Sequence, residues 1–205
     1  MATASETISA APRAYFGFDG QFINGTWRPG RRGAILKDTD PYTGKTLAEI
    51  QMADQSDLDE AYQSAAKAQP AWAALLPAER AAVMYRFAAI MDARRGEIID
   101  WLIQEAGSTL VKAGFETQFV HGLTLEVASF PNRVQGRILP INEPGKESRV
   151  YRRPIGVVGV ISPWNFPLIL SHRSIAPAIV LGNTVVVKPA PDTPVTGFAE
   201  PTKSG

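Results

Sequence analysis

Residues Ile155 to Pro191 read IGVVGVISPWNFPLILSHRSIAPAIVLGNTVVVKPAP, and their order decides the fold. An apolar run ends in Ser162-Pro163-Trp164-Asn165-Phe166-Pro167. Leu168 to Leu181 then has helical length and is closed by Gly182-Asn183. Thr184 to Val187 is a second β-branched run that delivers Lys188 and is followed by proline. Such a segment predicts strand, loop, helix and a second, parallel strand. Ile155 to Ile161 is continuously apolar, which suits a strand covered on both faces. In open α/β sheets ligands gather beyond the carboxyl ends of strands, so Asn165 and Lys188 are placed toward one crevice.

Outward from this unit the chain is ordinary in bulk. Its 205 residues suit one domain, or one domain plus an appendage. With 21 Lys and Arg against 20 Asp and Glu, the net charge is +1, so no basic surplus marks a nucleic-acid or anionic-membrane surface. No stretch reaches the roughly 18 uninterrupted apolar residues of a membrane span. The start, MATASETISAAPR, has neither a basic region nor an apolar core, so residues 1–13 are expected to be a flexible tail of a cytoplasmic protein. There is no cysteine, which removes disulfides, Cys-based zinc sites and thiolate chemistry together.

Upstream, Asn24-Gly25 between apolar neighbours predicts a hairpin over Phe22–Trp27. Asp40-Pro41-Tyr42-Thr43-Gly44-Lys45 predicts a turn, with a short strand after it. Ser56 with Asp59 three residues on predicts a helix start, and Ala61, Ala65, Ala68 and Trp72 lie on one face of that helix. Pro77 suits another first turn, and Val83, Phe87, Ile90 and Met91 predict the buried stripe behind it. Arg94-Arg95-Gly96 marks a seam, Gly107 a stop, and Lys112 to Asn132 a further helix. Arg137–Ile141 and Ser148–Arg152 flank Asn-Glu-Pro-Gly, which predicts a β-ribbon over 136–152; it is either a solvated hairpin or a subunit contact.

Several groups are chemically suggestive. Asn165, on a proline-stiffened loop, can donate to an oxyanion or bond its own loop. Lys188 can reach a nucleotide's ribose or phosphate, or simply be solvated. Trp164 can wall a cofactor channel or pack locally. His121 and His172 lack partners at ligand spacing, so no metal site is expected; His172 reads as a surface or satisfied histidine. Asp54, Asp57, Asp59 and Glu60 read as a helix-start charge cluster. Gly156-Val157-Val158-Gly159 is not a G-x-G-x-x-G fingerprint.

The SPWNFP hexapeptide with Lys188-Pro189-Ala190 downstream, the FINGTW hairpin, the DPYTGK turn and RRPIGVVGV together closely resemble the aldehyde dehydrogenase superfamily, from about Phe22 to Thr196. PLILSHRSIAPAIVLGN resembles the benzaldehyde and vanillin dehydrogenase-like branch. The resemblance implies an α/β fold: an incomplete Rossmann-like parallel sheet with an amino-terminal helical layer, 14–135 and 153–197 together forming a partial cofactor-binding domain, and a protruding oligomerisation ribbon at 136–152. It implies NAD- or NADP-dependent oxidation of an aldehyde to an acid through a cysteine thiohemiacetal. Asn165 matches the family's oxyanion donor. Ile161, Ser162, Pro163 and Trp164 match residues lining the cofactor cleft, and Lys188 the lysine on the adenosine ribose or its 2′-phosphate. Pro191 stands where many relatives carry a ribose-binding glutamate, which leaves NADP at least as acceptable as NAD.

The same resemblance places the pyrophosphate loop, the general-base glutamate and the nucleophilic cysteine beyond the end of this chain. Residues 198–205 turn polar where the family continues apolar. A shortened, inactive dehydrogenase is therefore expected, with a non-catalytic subunit of full-length relatives as the alternative. Partners follow: a small-molecule aldehyde, a second copy or a longer relative through 136–152, and neither nucleic acid nor membrane.

Overall fold

The structure is a computed structural model and describes residues 19–197. The expected tails at 1–13 and 198–205 lie outside the described residues. Two small hairpins open the fold. Strands β1 (Gln21–Ile23) and β2 (Thr26–Arg28) pair antiparallel across Asn24 and Gly25, whose φ angles of 53° and 76° are both left-handed. That is the turn an Asn-Gly pair favours. Strands β3 (Ile35–Thr39) and β4 (Thr46–Gln51) form the second hairpin. Its turn is held by Asp40, whose carboxylate accepts from the amides of Tyr42 (2.8 Å) and Thr43 (3.2 Å).

Helix α1 spans Gln55–Ala74, and its cap differs from the expectation at Ser56 and Asp59. Asp54 accepts from the Asp57 amide at 3.0 Å, and Asp57 accepts from the Asp54 amide at 3.0 Å. Asp57 wins the role because it is also held by Arg28 at 2.7 Å and by the Arg31 amide at 2.8 Å. The charge cluster is thus partly a buried tether for the first hairpin, since Asp57 is fully buried.

Helices α2 (Pro77–Ala93), α3 (Arg95–Ala106) and α4 (Leu110–Ala128) follow. Pro77 sits in the first turn of α2, and Gly107 ends α3 with φ 60°. The fully buried line of α2 is Ala81, Met84, Ala88 and Met91, with Val83, Phe87 and Ile90 only half-buried beside it. Met91 lies on the buried line as expected, while Phe87 and Val83 pack against the two core clusters from the flank. Helix α4 runs through Gly114 and Gly122, and Pro131 falls in a short 3₁₀ turn, Phe130–Arg133. One core cluster joins Met91, Leu102, Ala113, Val120, Leu168 and Ile169; another joins Met84, Val127, Ala128, Ala176 and Val180.

After the ribbon of β5 (Arg137–Leu139) and β6 (Ser148–Val150) come β7 (Val157–Ile161), α5 (Pro167–Val180) and β8 (Thr184–Lys188). Strands β7 and β8 are parallel, in register from Val157↔Thr184 to Ile161↔Lys188. The fold class is the expected α/β one. Cover on both faces of β7 is only partial: Val160 is buried, whereas Ile161 is 80% exposed. Side chains alternate along a strand. Gly159 therefore faces away from Val160, and an added Cβ there would collide with the hydroxyl of Tyr62 from α1. Helix α1 is fastened to this unit by Thr184 Oγ1 donating to Ala65 O (2.9 Å) and Trp72 Nε1 donating to Ile179 O (2.7 Å). Among the described residues no helix is long and apolar enough to cross a membrane.

Candidate functional site

The site is built at the carboxyl ends of β7 and β8. Ser162 continues the ladder, its amide donating to Lys188 O at 3.2 Å. Its side chain is buried, and its hydroxyl accepts from Ser171 on α5 at 2.7 Å. Ser162 therefore anchors the loop, and only its neighbours offer side chains to a ligand. Ile161, Pro163, Trp164 and Asn165 are exposed, Trp164 at 59%. Asn165 lies on the loop four residues beyond the end of β7, and Lys188 closes the adjacent strand. The Lys188 ammonium is exposed and donates to Pro189 O at 3.0 Å. Pro191, exposed three residues on, adds no charge. The exposure of Asn165 leaves its side-chain amide open to a ligand at the strand ends.

Phe166 starts the exit from this loop, and Pro167 opens α5 at its first turn. The first amides of a helix have no intrahelical acceptor. Here Glu116 of α4 supplies one: its Oε1 accepts from Leu168 N (2.9 Å) and Ile169 N (3.2 Å). Lys112, one turn earlier, reaches Glu116 at 3.4 Å and lies 4.5 Å from the centre of the Phe166 ring. The far end of α5 is fixed by Asn183, whose side chain accepts from the amides of Ile155 (2.8 Å) and Gly156 (3.1 Å) and donates to Ala178 O (3.0 Å). Glu116 thus clamps the exit of the loop, and Asn183 clamps the opposite, amino-terminal end of β7 to the end of α5.

Sequence reasoning did not find Glu116 or Glu105. A signal existed: Ala113, Glu116, Thr117, Val120 and Thr124 share the buried spacing of α4, so an acid at that spacing had to be paired. His172 proves satisfied rather than superficial. It is 3% exposed, stacks on Phe87 with ring centres 4.9 Å apart, and meets Thr124 Oγ1 at 2.8 Å. Burial pushes its imidazole down to about 4, so it is neutral. His121 pairs with Asp92 at 3.0 Å. No group of three metal-ligating side chains occurs among the described residues.

The profile of the aldehyde dehydrogenase family matches residues 27–200. The chain belongs to the aldehyde dehydrogenase family. Vanillin dehydrogenase of Corynebacterium glutamicum is 53% identical over 181 residues, which cover 88% of this chain and 37% of that protein. An NAD(+) benzaldehyde dehydrogenase of Pseudomonas putida is 37% identical over 180 residues, with 88% and 37% covered. The crystal structure of an NAD-dependent benzaldehyde dehydrogenase from Corynebacterium glutamicum superposes with a TM-score of 0.86 at 52% identity, over 89% of this chain and 40% of that one. This aldehyde dehydrogenase chain therefore spans little more than a third of the curated relatives it matches, from their amino-terminal part.

Proposed function

We propose that this chain is the amino-terminal, cofactor-cleft part of an NAD(P)-dependent dehydrogenase that oxidises an aromatic aldehyde to its carboxylic acid. The observation carrying this reading is that the two parallel strands end in register at Ile161↔Lys188, so the loop bearing Asn165 leaves one strand beside the Lys188 end of its neighbour. The residues present suit a dinucleotide. Ile161, Pro163 and Trp164 offer an exposed apolar wall and Lys188 an exposed cation, and Pro191 leaves a 2′-phosphate unopposed. Lys188 would hold the adenosine ribose or its phosphate, and Ile161 to Trp164 would line the cleft, Ser162 through its backbone. When bound, the nicotinamide supplies the hydride acceptor.

Asn165 serves the substrate instead, its amide donating to the oxygen of the aldehyde as negative charge gathers there. A donor of this kind is worth roughly 10²–10³ in rate where measured. Proline on both sides of the loop, and the Glu116 and Ser171 ties behind it, hold that donor without reorganisation. The chain contains no cysteine to form the covalent adduct, so by itself it turns over no aldehyde. Function in the cytoplasm, and assembly through 136–152 with another copy or a longer relative, complete the reading. Assembly is favoured by the ribbon's exposed apolar side chains, Ile138 at 70% and Tyr151 at 67%.

Equilibrium dialysis of the purified chain against millimolar NADP tests the cleft. Weak retention that disappears in Lys188→Ala but persists in Lys37→Ala is expected; equal retention by Lys188→Ala would refute the assignment. NAD(P)H formation from benzaldehyde above a boiled control would overturn the inactivity of the chain alone. Co-purification with a longer dehydrogenase, lost on deleting the ribbon tip, is the expected result for assembly.

A further inference from the structure

Three segments far apart in sequence meet at two buried acids that the proposed chemistry does not use. Glu105, in the last turn of α3, and Asp38, on β3, are each 2% exposed. Glu105 receives the segment that follows the Lys188 edge. Its Oε1 accepts from Val195 N at 2.6 Å, and its Oε2 accepts from Thr196 N at 2.7 Å and from the Thr196 hydroxyl. Asp38 lies within hydrogen-bonding reach of Glu105 and also accepts from the Thr39 amide. Its Oδ2 is buried and has no donor among the described residues.

Ionised carboxylates only accept, so two of them can bond each other only when one carries a proton. Two bare charges in contact and out of water would repel strongly. A proton between them removes the repulsion and gives the orphan oxygen a role at once. We propose that Asp38 and Glu105 share a single proton and form a proton-dependent latch, which straps residues 193–197 onto α3 and the β3–β4 hairpin.

The groups facing the pair are few. From the strap come the Val195 and Thr196 amides and the Thr196 hydroxyl; from β3, Asp38 and the Thr39 amide; from α3, Glu105 itself. The cations nearest the two acids in sequence are engaged elsewhere: Lys112 donates to Ser108 at 2.8 Å and meets Glu116, while Lys37 pairs with Glu49 at 3.5 Å. The strap is held with little to spare, because the buried Thr193 hydroxyl also has no partner among the described residues. Burial pushes both acids up, Asp38 to about 6 and Glu105 to about 8, and Asp38 adds to the rise at Glu105. The pair titrates as one unit. An acid raised on closing binds its proton more tightly in the closed form. The latch is therefore shut at low pH and weakens as pH climbs from the ordinary carboxyl range toward about 8. The strap begins five residues after Lys188, so its release frees the chain leading from that strand edge, whatever the edge binds.

Hydrogen–deuterium exchange of the whole chain, read by mass spectrometry and corrected for the intrinsic pH dependence of exchange, tests this. Protection of 193–197 is expected to fall at least about tenfold between about pH 5.5 and about pH 8, while α2 stays level. In Asp38→Asn the amide donates to Glu105 permanently, so protection should stay flat over that range. A flat wild-type profile, a slope retained in Asp38→Asn, or a loss spread evenly over the chain would overturn the proposal. If Asp38→Asn does not fold, the infrared carbonyl band of a protonated carboxyl decides. In the wild type it should be present at neutral pH and vanish on alkalinisation; its absence at neutral pH would be equally decisive against the latch.

Discussion

Replacing Glu116 by alanine isolates what holds the Asn165 loop. The carboxylate is fully buried and accepts from two first-turn amides of α5, at 2.9 and 3.2 Å, while Lys112 approaches at 3.4 Å. Hydrogen bonds to a charged group contribute about 1.5–3 kcal/mol each, and each buried amide left without an acceptor costs about 1–3 kcal/mol. These figures overlap, because the cost of the orphaned amides is part of the loss of the bonds, and partial relaxation returns some of it. A net loss of about 3–5 kcal/mol is expected, in line with breaking a buried charged pair by removing one member. Glu116→Gln keeps one oxygen for the two amides but loses the charge and turns an NH₂ toward Lys112, so about 1–2 kcal/mol is expected. Urea unfolding followed by circular dichroism measures both, and exchange at 167–170 should rise in Glu116→Ala before that at α2. A cost below about 1 kcal/mol for alanine, or equal costs for the two variants, would refute the reasoning.

The other structural predictions are briefer. Asn183→Ala removes three hydrogen bonds that tie β7 to the end of α5. It should cost about 2–3 kcal/mol in the same unfolding assay, with Asn183→Asp little better because it cannot donate to Ala178. On the acid side two groups act together. Burial alone would raise Asp57, but the Arg31 and Asp54 amides and the Arg28 guanidinium outweigh it and hold the acid at about 2. Burial holds His172 down at about 4. Both are depressed on folding, so their stabilisation is complete above the unfolded values and lost as pH falls. His172 gives way first, between its ordinary value near 6.5 and about 4, and Asp57 follows toward about 2. Melting temperatures from pH 7 downward should fall in that order. In His172→Phe the first limb should flatten; a limb unchanged in that variant would count against the assignment.

The sequence by itself determined the elements whose causes are local. Asn24-Gly25 specifies its turn because both residues tolerate left-handed backbone, and Gly107 and Gly182 end helices for the same reason. The β-branched runs around the SPWNFP loop are enough to place Lys188 at a strand end and Asn165 on the loop that follows the neighbouring strand. What the sequence left open was which neighbours each side chain would find. Asp54 rather than Ser56 caps α1 because its reciprocal partner, Asp57, is held by Arg28 and by the Arg31 amide, 29 and 26 residues before it. Ser162 turns inward because Ser171 lies across the crossover. Asp38, Glu105 and Thr196 are ordinary in their own stretches, and only tertiary structure brings two acids together out of water. Burial and partnership of a polar group are properties of the space around it, and linear order does not carry them.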